Sequence, residues 1–153
     1  MIDLTPILKK IDFVSRYQKI CSDHDDFDNS LRGNQKELYD QVLSKFNYMP
    51  KYFSKERFYR IVAEESNYEF GLQLVLKDGL VEPMIDIKKE DSWLSPDGRF
   101  DFIPQKMGVE FDRKKYNLPK YTSASELEQI LREIFSIYED IKGEVLKASE
   151  SQA

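Results

Sequence analysis

The densest group of side chains able to do chemistry is Ser22-Asp23-His24-Asp25-Asp26-Phe27-Asp28-Asn29. Counted from Asp26, oxygen donors fall at positions 1, 3, 5, 9 and 12 of a calcium loop: Asp26, Asp28, Ser30, Asn34 and Glu37. The sixth position, where such a loop turns on glycine, is Leu31, and a helix is expected to start inside the loop. The spacing therefore favours a solvated interhelical loop whose acids sit near the positive end of a helix. His24 is the only histidine. Its aspartate neighbours suit a metal ligand or a base with a raised pKa, but with one histidine and one cysteine in the sequence, zinc chemistry lacks ligands. An exposed loop histidine is the expectation.

Three further carboxylates, Glu64, Glu69 and Asp86, are candidates for paired acid–base work. They fall on what reads as an open sheet face, where little would perturb their pKa values, so a wet face or a protein-binding patch is expected rather than catalysis. Cys21 has the chemistry of a nucleophile, yet it ends an amphipathic segment beside Ile20, which suits a buried structural thiol. The chain has no Gly-x-Ser-x-Gly elbow, P-loop or Rossmann glycine fingerprint, and its six glycines are unclustered. Trp93, with Phe100, Phe102 and Phe111, has the residue types of a binding cluster; tryptophan is enriched at interface hot spots. The locally basic stretch 106–120 carries Lys106, Arg113, Lys114, Lys115 and Lys120 near Tyr116 and Tyr121, a weak nucleic-acid pattern diluted by acids and prolines.

The elements that must position these groups are legible from periodicity. Ile7, Ile11, Val14 and Ile20 recur at helical spacing, widened by Leu8, Phe13 and Tyr17, and predict one helix from Thr5 (cap) and Pro6 to Cys21 or Ser22. A second helix is expected over about Leu31–Phe46, capped by Asn29 or Ser30, with Gly33 as its weak point. Residues 68–77 alternate with period two, and Asp78-Gly79 suits a type I′ turn. Pairing outward sets Leu76 against Val81, Leu74 against Pro83, Leu72 against Ile85 and Phe70 against Ile87. On the other face Val75 meets Glu82, Gln73 meets Met84 and Glu69 meets Lys88. In this register the Pro83 nitrogen points away from its partner, so the strand is an edge on its far side or is bulged.

An earlier strand, 57–65, precedes Ser66-Asn67. A tight turn there sets Ala63 opposite Phe70, Ile61 opposite Leu72 and Tyr59 opposite Leu74. It also opposes Glu64 to Glu69, an unfavourable like-charge pair. Either the turn is shifted by a residue or the acidic patch has a purpose. A fourth strand is expected over 99–104, stopped by Pro104. An irregular connection should follow, with a short strand at Val109-Glu110-Phe111. Ser123-Ala124-Ser125-Glu126 fits a capping box, and Leu127, Ile130, Leu131, Ile134, Tyr138, Ile141 and Val145 predict a helix to about Lys147, with a frayed tail.

The expected architecture is a single α+β domain over 1–153. Residues 1–47 are helical, 57–111 form an antiparallel sheet of about four strands (57–65, 68–77, 80–88, 99–104), and 123–147 form the last helix. With 153 residues, 41% hydrophobic and 33% charged, the chain can bury a core without disulfide or metal staples. No apolar run is long enough for a membrane helix, and the N-terminal MIDLTPILKKIDF has no signal-peptide pattern. One cysteine excludes an intramolecular disulfide framework. Twenty-three basic against 28 acidic residues give a net charge of −5, the wrong sign for general nucleic-acid affinity.

This profile resembles the immunity proteins of bacterial toxin–immunity systems (contact-dependent inhibition, Rhs and type VI effectors). The likeness is one of type: a small acidic α+β chain, no catalytic motif, one cysteine, and a C-terminal segment YNLPKYTSASELEQILREIFSIYEDIKGEVL (116–146) like the last helix of several such families. The resemblance implies a cytoplasmic, non-enzymatic protein with no metal or cofactor. Such a protein neutralises a cognate protein toxin, a cationic nuclease being the natural class, by blocking its active site. It implies no nucleic-acid or membrane partner. The candidate partner-binding residues are Asp23, Asp25, Asp26, Asp28, Glu64, Glu69, Asp86 and Trp93, the acids steering a basic partner. The alternative is a small-ligand-binding or regulatory adaptor domain.

Overall fold

The computed structural model describes residues 2–152, with the backbone alone at Gln152. The elements run α1 (Leu4–Lys10), α2 (Phe13–Asp23), α3 (Lys36–Leu43), β1 (Lys51–Phe53), β2 (Phe58–Glu65), β3 (Tyr68–Lys77), β4 (Leu80–Lys89), β5 (Ser92–Trp93), β6 (Gly98–Arg99), α4 (Ile103–Lys106) and α5 (Ala124–Gln152). The fold is α+β: one antiparallel sheet in the order β1-β2-β3-β4-β5, with β6 also on β4, packed beneath N-terminal helices and a long C-terminal helix.

The central meander has the register read from the residues. Ala63, Ile61 and Tyr59 face Phe70, Leu72 and Leu74, and Glu64 does lie opposite Glu69. Leu76, Leu74, Leu72 and Phe70 face Val81, Pro83, Ile85 and Ile87. Both hairpin turns have two residues in the left-handed region, Ser66-Asn67 (φ 52° and 69°) and Asp78-Gly79 (φ 52° and 74°). This handedness matches the right-handed twist of the flanking strands. Along the far side of β4 the pairing is broken into two-residue pieces. β6 pairs at Met84 and Ile85, β5 pairs at Lys88 and Lys89, and the Phe100 N–H donates to the Pro83 carbonyl. Pro83 offers no N–H there, so no long strand can form on that side.

The alternate residues Ile61, Phe70, Leu72, Leu74, Ile85 and Ile87 are buried beneath the helices. On α5, Leu127, Ile130, Leu131, Ile134, Ile137, Tyr138, Ile141 and Val145 are all fully buried. This stripe is broad because α5 packs on the sheet and also meets α1, α2 and α3. Tyr138 joins helix to sheet, its hydroxyl donating to the Phe70 carbonyl at 2.8 Å.

Several elements depart from expectation. The first helix is two: Asp12 adopts a left-handed conformation (φ 58°) between α1 and α2. Aspartate tolerates that conformation better than most residues, and the bend buries Leu8, Phe13 and Tyr17 rather than Ile11 and Val14. Asp3 caps α1 in place of Thr5, accepting from the Thr5 N–H. The second helix starts only at Lys36. Gly33 has φ +83°, and residues 31–33 are tied to the hairpin instead: Asp78 N–H to the Gly33 carbonyl, Gly33 N–H to the Asp78 carboxylate, and Leu31 N–H to the Tyr121 carbonyl. Tertiary hydrogen bonds outweigh local helix propensity there.

The expected strand 99–104 shrinks to β6. Phe102 N–H turns back on the Arg99 carbonyl, and Pro104 sits in the first turn of α4 rather than ending a strand. Phe100 thereby drops into an aromatic cluster, 5.1 Å from Phe13 and 5.9 Å from Tyr17 between ring centroids. No strand forms at 109–111; Phe111 packs against Tyr17 instead. The last helix continues through Gln152 instead of fraying from Ala148, and Ala153 lies outside the described residues. β1 and β5 have no counterpart among the expected strands.

The α5 cap is built as a variant of the expected box. The Glu126 N–H donates to Ser123 Oγ at 3.1 Å, but the Glu126 carboxylate accepts from the N–H and hydroxyl of Thr122, one residue before the cap. It also pairs with His24 Nδ1 at 2.8 Å. Burial opposes ionisation of Glu126, but the bonds from His24 and Thr122 outweigh it and hold its pKa below the ordinary 4.5. A depressed folded-state pKa contributes stability that is present above pH 4.5 and is lost as pH falls through the lower folded value. Glu126→Gln, which can still accept from Thr122, should therefore flatten the acid limb of stability. Urea midpoints measured from pH 7 to pH 3 should converge on wild type at the acid end; parallel curves would refute this role for the charge.

Candidate functional site

Directly paired residues of neighbouring strands share a face, so the register assembles a row across four strands: Glu64 on β2, Glu69 on β3, Lys88 on β4 and Trp93 on β5. This row lies on the face turned away from α5. Trp93 is 54% exposed, with the Lys88 ammonium 5.5 Å from its ring centroid. The floor of the row opens into a shallow hollow of about 360 Å³ lined by Glu64, Glu65, Ser66, Asn67, Glu69 and Glu90, among others. Among the described residues, none of Glu64, Glu65, Glu69 and Glu90 makes an ion pair. Three of the sequence-predicted residues, Glu64, Glu69 and Trp93, thus lie in one row, with Lys88 between the acids and the exposed indole.

Asp86 lies one row away and is already engaged. Arg60 Nη1 and Nη2 bind its two carboxylate oxygens at 2.7 and 2.8 Å, spanning from β2 to β4 across β3. The span is possible because β3 carries glycine beneath it. A Cβ at Gly71 would lie 2.4 Å from both Arg60 Nη2 and Asp86 Oδ1. The hydrogen bonds to Asp86, partly opposed by burial, raise the Arg60 pKa, and the carboxylate is a fixed partner rather than a free charge. The readable signal was Gly71 itself, since glycine inside an alternating strand marks a close approach.

The acidic loop is elsewhere. Its end, Ser30-Leu31, packs on Gly79 at the β3–β4 turn, whereas Glu69 stands near the other end of β3, whose ten residues span roughly 33 Å. Asp23, Asp25, Asp26 and Asp28 are exposed. Asp23 pairs with Lys19 one helical turn back at 2.7 Å, and the Asp26 carboxylate accepts from the backbone and side chain of Asn29. Ser30, a supposed calcium donor, is buried and its hydroxyl donates to the Phe27 carbonyl. Among the described residues, no group of three or more His, Cys, Asp and Glu side chains is placed to hold a metal ion. His24 is not the exposed loop residue expected, since its side chain is only 11% exposed against Glu126.

Cys21 is 3% exposed, and burial is the main cause of its thiol pKa rising to about 12. A thiol so placed is protonated at neutral pH, as expected of a structural cysteine. Phe100 and Phe111 are core rather than a binding cluster with Trp93. A groove of about 330 Å³ between α2 and α5 is lined by Arg16, Lys19, Asp23 and His24, of which Arg16 pairs with Asp140, Lys19 pairs with Asp23, and His24 Nδ1 hydrogen-bonds to Glu126. Among the described residues no helix is long and apolar enough to cross a membrane.

No family profile, curated protein or solved structure matches this chain.

Proposed function

We propose that the chain is a binding protein of the immunity type. It docks a basic partner protein, a toxin such as a cationic nuclease, against the outer face of its sheet and covers the partner's active site. The observation that carries this reading is the row Glu64–Glu69–Lys88–Trp93. It holds two acids set directly opposite each other without an ion pair, on a surface that also exposes a tryptophan. Opposed like charges in a sheet cost up to about 1 kcal/mol, and a cationic partner relieves that cost on binding. Burial of an indole in the centre of an interface is among the largest single contributions to affinity, and the surrounding negative potential raises the association rate. The bidentate Arg60–Asp86 pair holds the middle of the platform rigid, which limits the ordering cost of docking.

The test is co-expression with the polypeptide encoded by the adjacent upstream gene. A stable complex is expected. Trp93→Ala should weaken it on the order of 30-fold, the loss of a hot spot of about 2 kcal/mol. Glu64→Lys with Glu69→Lys should slow association and reverse its salt dependence. Absence of a complex, or a complex indifferent to all three changes, would overturn the proposal.

A further inference from the structure

The tight turn at Ser66-Asn67 makes Glu65 and Tyr68 the first hydrogen-bonded pair of the β2–β3 hairpin. Bonded and non-bonded pairs then alternate. Glu65, Ala63, Ile61 and Tyr59 turn their N–H and C=O groups toward β3, and Glu64, Val62, Arg60 and Phe58 turn theirs away. β1 takes up Arg60 and Phe58 through Lys51 and Phe53. It ends at Lys51, so neither Val62 nor Glu64 is reached by β1. The chain leaves the sheet at Met49, which is 96% exposed. The outward main-chain groups of Val62 and Glu64 consequently have no main-chain partner among the described residues. This is an open sheet edge, the template on which another strand adds.

The surroundings of this edge state what would fit. On the helix side, a groove of about 700 Å³ separates β2 from α5, lined by Tyr48, Ala63 and Phe135 together with Arg132, Glu139 and Lys142. On the outer side stand Glu64 and Glu69. A strand laid along Val62–Glu64 would alternate its side chains between these two environments. The residue opposite Ala63 would enter the groove beside Tyr48 and Phe135, and those opposite Val62 and Glu64 would stand on the face that carries Glu64 and Glu69. A second copy of the chain is a poor occupant, because antiparallel β2–β2 pairing about Ala63 would make the Glu64 carboxylates of both copies diagonal neighbours on one face.

We propose that the Val62–Glu64 edge of β2 receives an extended basic segment of the partner as an added strand, with an apolar side chain in the groove against α5 and cationic side chains over Glu64 and Glu69. This rests on the reading of the chain as a binder of a basic protein and names the element through which it binds.

The probe is the capped heptapeptide of alternating lysine and valine, beginning and ending in lysine, titrated into the 15N-labelled full chain. In the proposed register the lysine nitrogens face β2 and the valine nitrogens face away. Two peptides of equal charge separate main-chain pairing from charge attraction. Methylation of the valine nitrogens should leave binding intact; methylation of the lysine nitrogens should weaken it at least about tenfold. Amide shifts should centre on Val62, Ala63, Glu64 and Met49, and the alternating glutamate–valine peptide should not bind. Equal binding of the two methylated peptides, shifts centred on other residues, or concentration-dependent shifts at this edge without peptide, which would mean self-pairing, each reject the proposal. None of these touches the broader reading, which the co-expression experiment decides. Conversely, a complex with the neighbouring gene product that forms equally well with wild type and with folded Val62→Pro would reject the edge alone.

Discussion

Replacing Gly79 by alanine is expected to destabilise the fold by about 3 kcal/mol, while the same change at Gly33 costs about 1 kcal/mol. Both glycines have positive φ, +74° and +83°, so both substitutions carry left-handed strain. Only Gly79 is also crowded. Its added Cβ would lie 2.4 Å from Ser30 Cβ and 2.9 Å from the Leu31 nitrogen, whereas nothing lies within 4 Å of the position at Gly33. The Leu31 nitrogen cannot yield freely, because it donates to the Tyr121 carbonyl at 3.0 Å. Relief requires lifting the 30–33 loop off the hairpin, with loss of the paired bonds between Gly33 and Asp78 at 3.0 and 3.1 Å. Urea unfolding should show the larger midpoint shift for Gly79→Ala at unchanged slope. Equal shifts for the two variants would mean that the loop does not pack on the turn as described.

Truncation of Tyr138 to alanine should cost about 4 kcal/mol, a large share of the 5–15 kcal/mol by which a domain of this size is stable. Tyr138 is fully buried where α5 crosses the sheet, and the vacated space is enclosed by a long helix and a paired strand, neither of which can collapse into it. Tyr138→Phe should cost only about 1 kcal/mol. Phe70 lies in a hydrogen-bonded pair with Ala63, so its carbonyl keeps a ladder partner when the hydroxyl bond is removed. Thermal denaturation of the two variants separates packing from hydrogen bonding. A phenylalanine variant as unstable as the alanine variant would place the stabilisation in the hydroxyl instead.

These two sites differ in how much of them could be read from the residues. The turn at Asp78-Gly79, the register on either side of it and the α5 stripe through Tyr138 are all expressed locally, as a dipeptide of special backbone preference and as period-two or helical spacing of apolar residues. The crowding of Gly79 by Ser30 is a contact across almost fifty residues of chain and has no local signature. The same division holds in the helical half. The apolar stripe from Ile7 to Ile20 announces helix, but its break at Asp12 answers to the need to bury Phe13, Tyr17 and Phe100 together. The spacing of Leu31, Leu38 and Val42 announces helix too, yet the first turn is surrendered to the hairpin. At 99–104, alternation predicts a strand, and the aromatic cluster takes Phe100 out of it.

The candidate site divides in the same way. Glu64, Glu69 and Lys88 could be placed in one row from pairing alone, because the two intervening turns set the register. Trp93 joins them only through β5, a two-residue strand with no periodicity to announce it. The sequence groups Asp86 with the acids, and the structure assigns it to Arg60, since a diagonal contact across a glycine is invisible to a reading that pairs residues directly opposite each other.

Taken by itself, the order of residues determined the α+β class, the central three-stranded meander with its register, the final helix and the acidic surface, because each follows from interactions between near neighbours in the chain or across a tight turn. The tertiary structure alone decided which acids remain uncompensated, where the helices break, and that β2 keeps a bare edge beside a groove against α5. Those outcomes depend on which distant groups claim a hydrogen bond or a cavity first, and chain spacing carries no record of that competition.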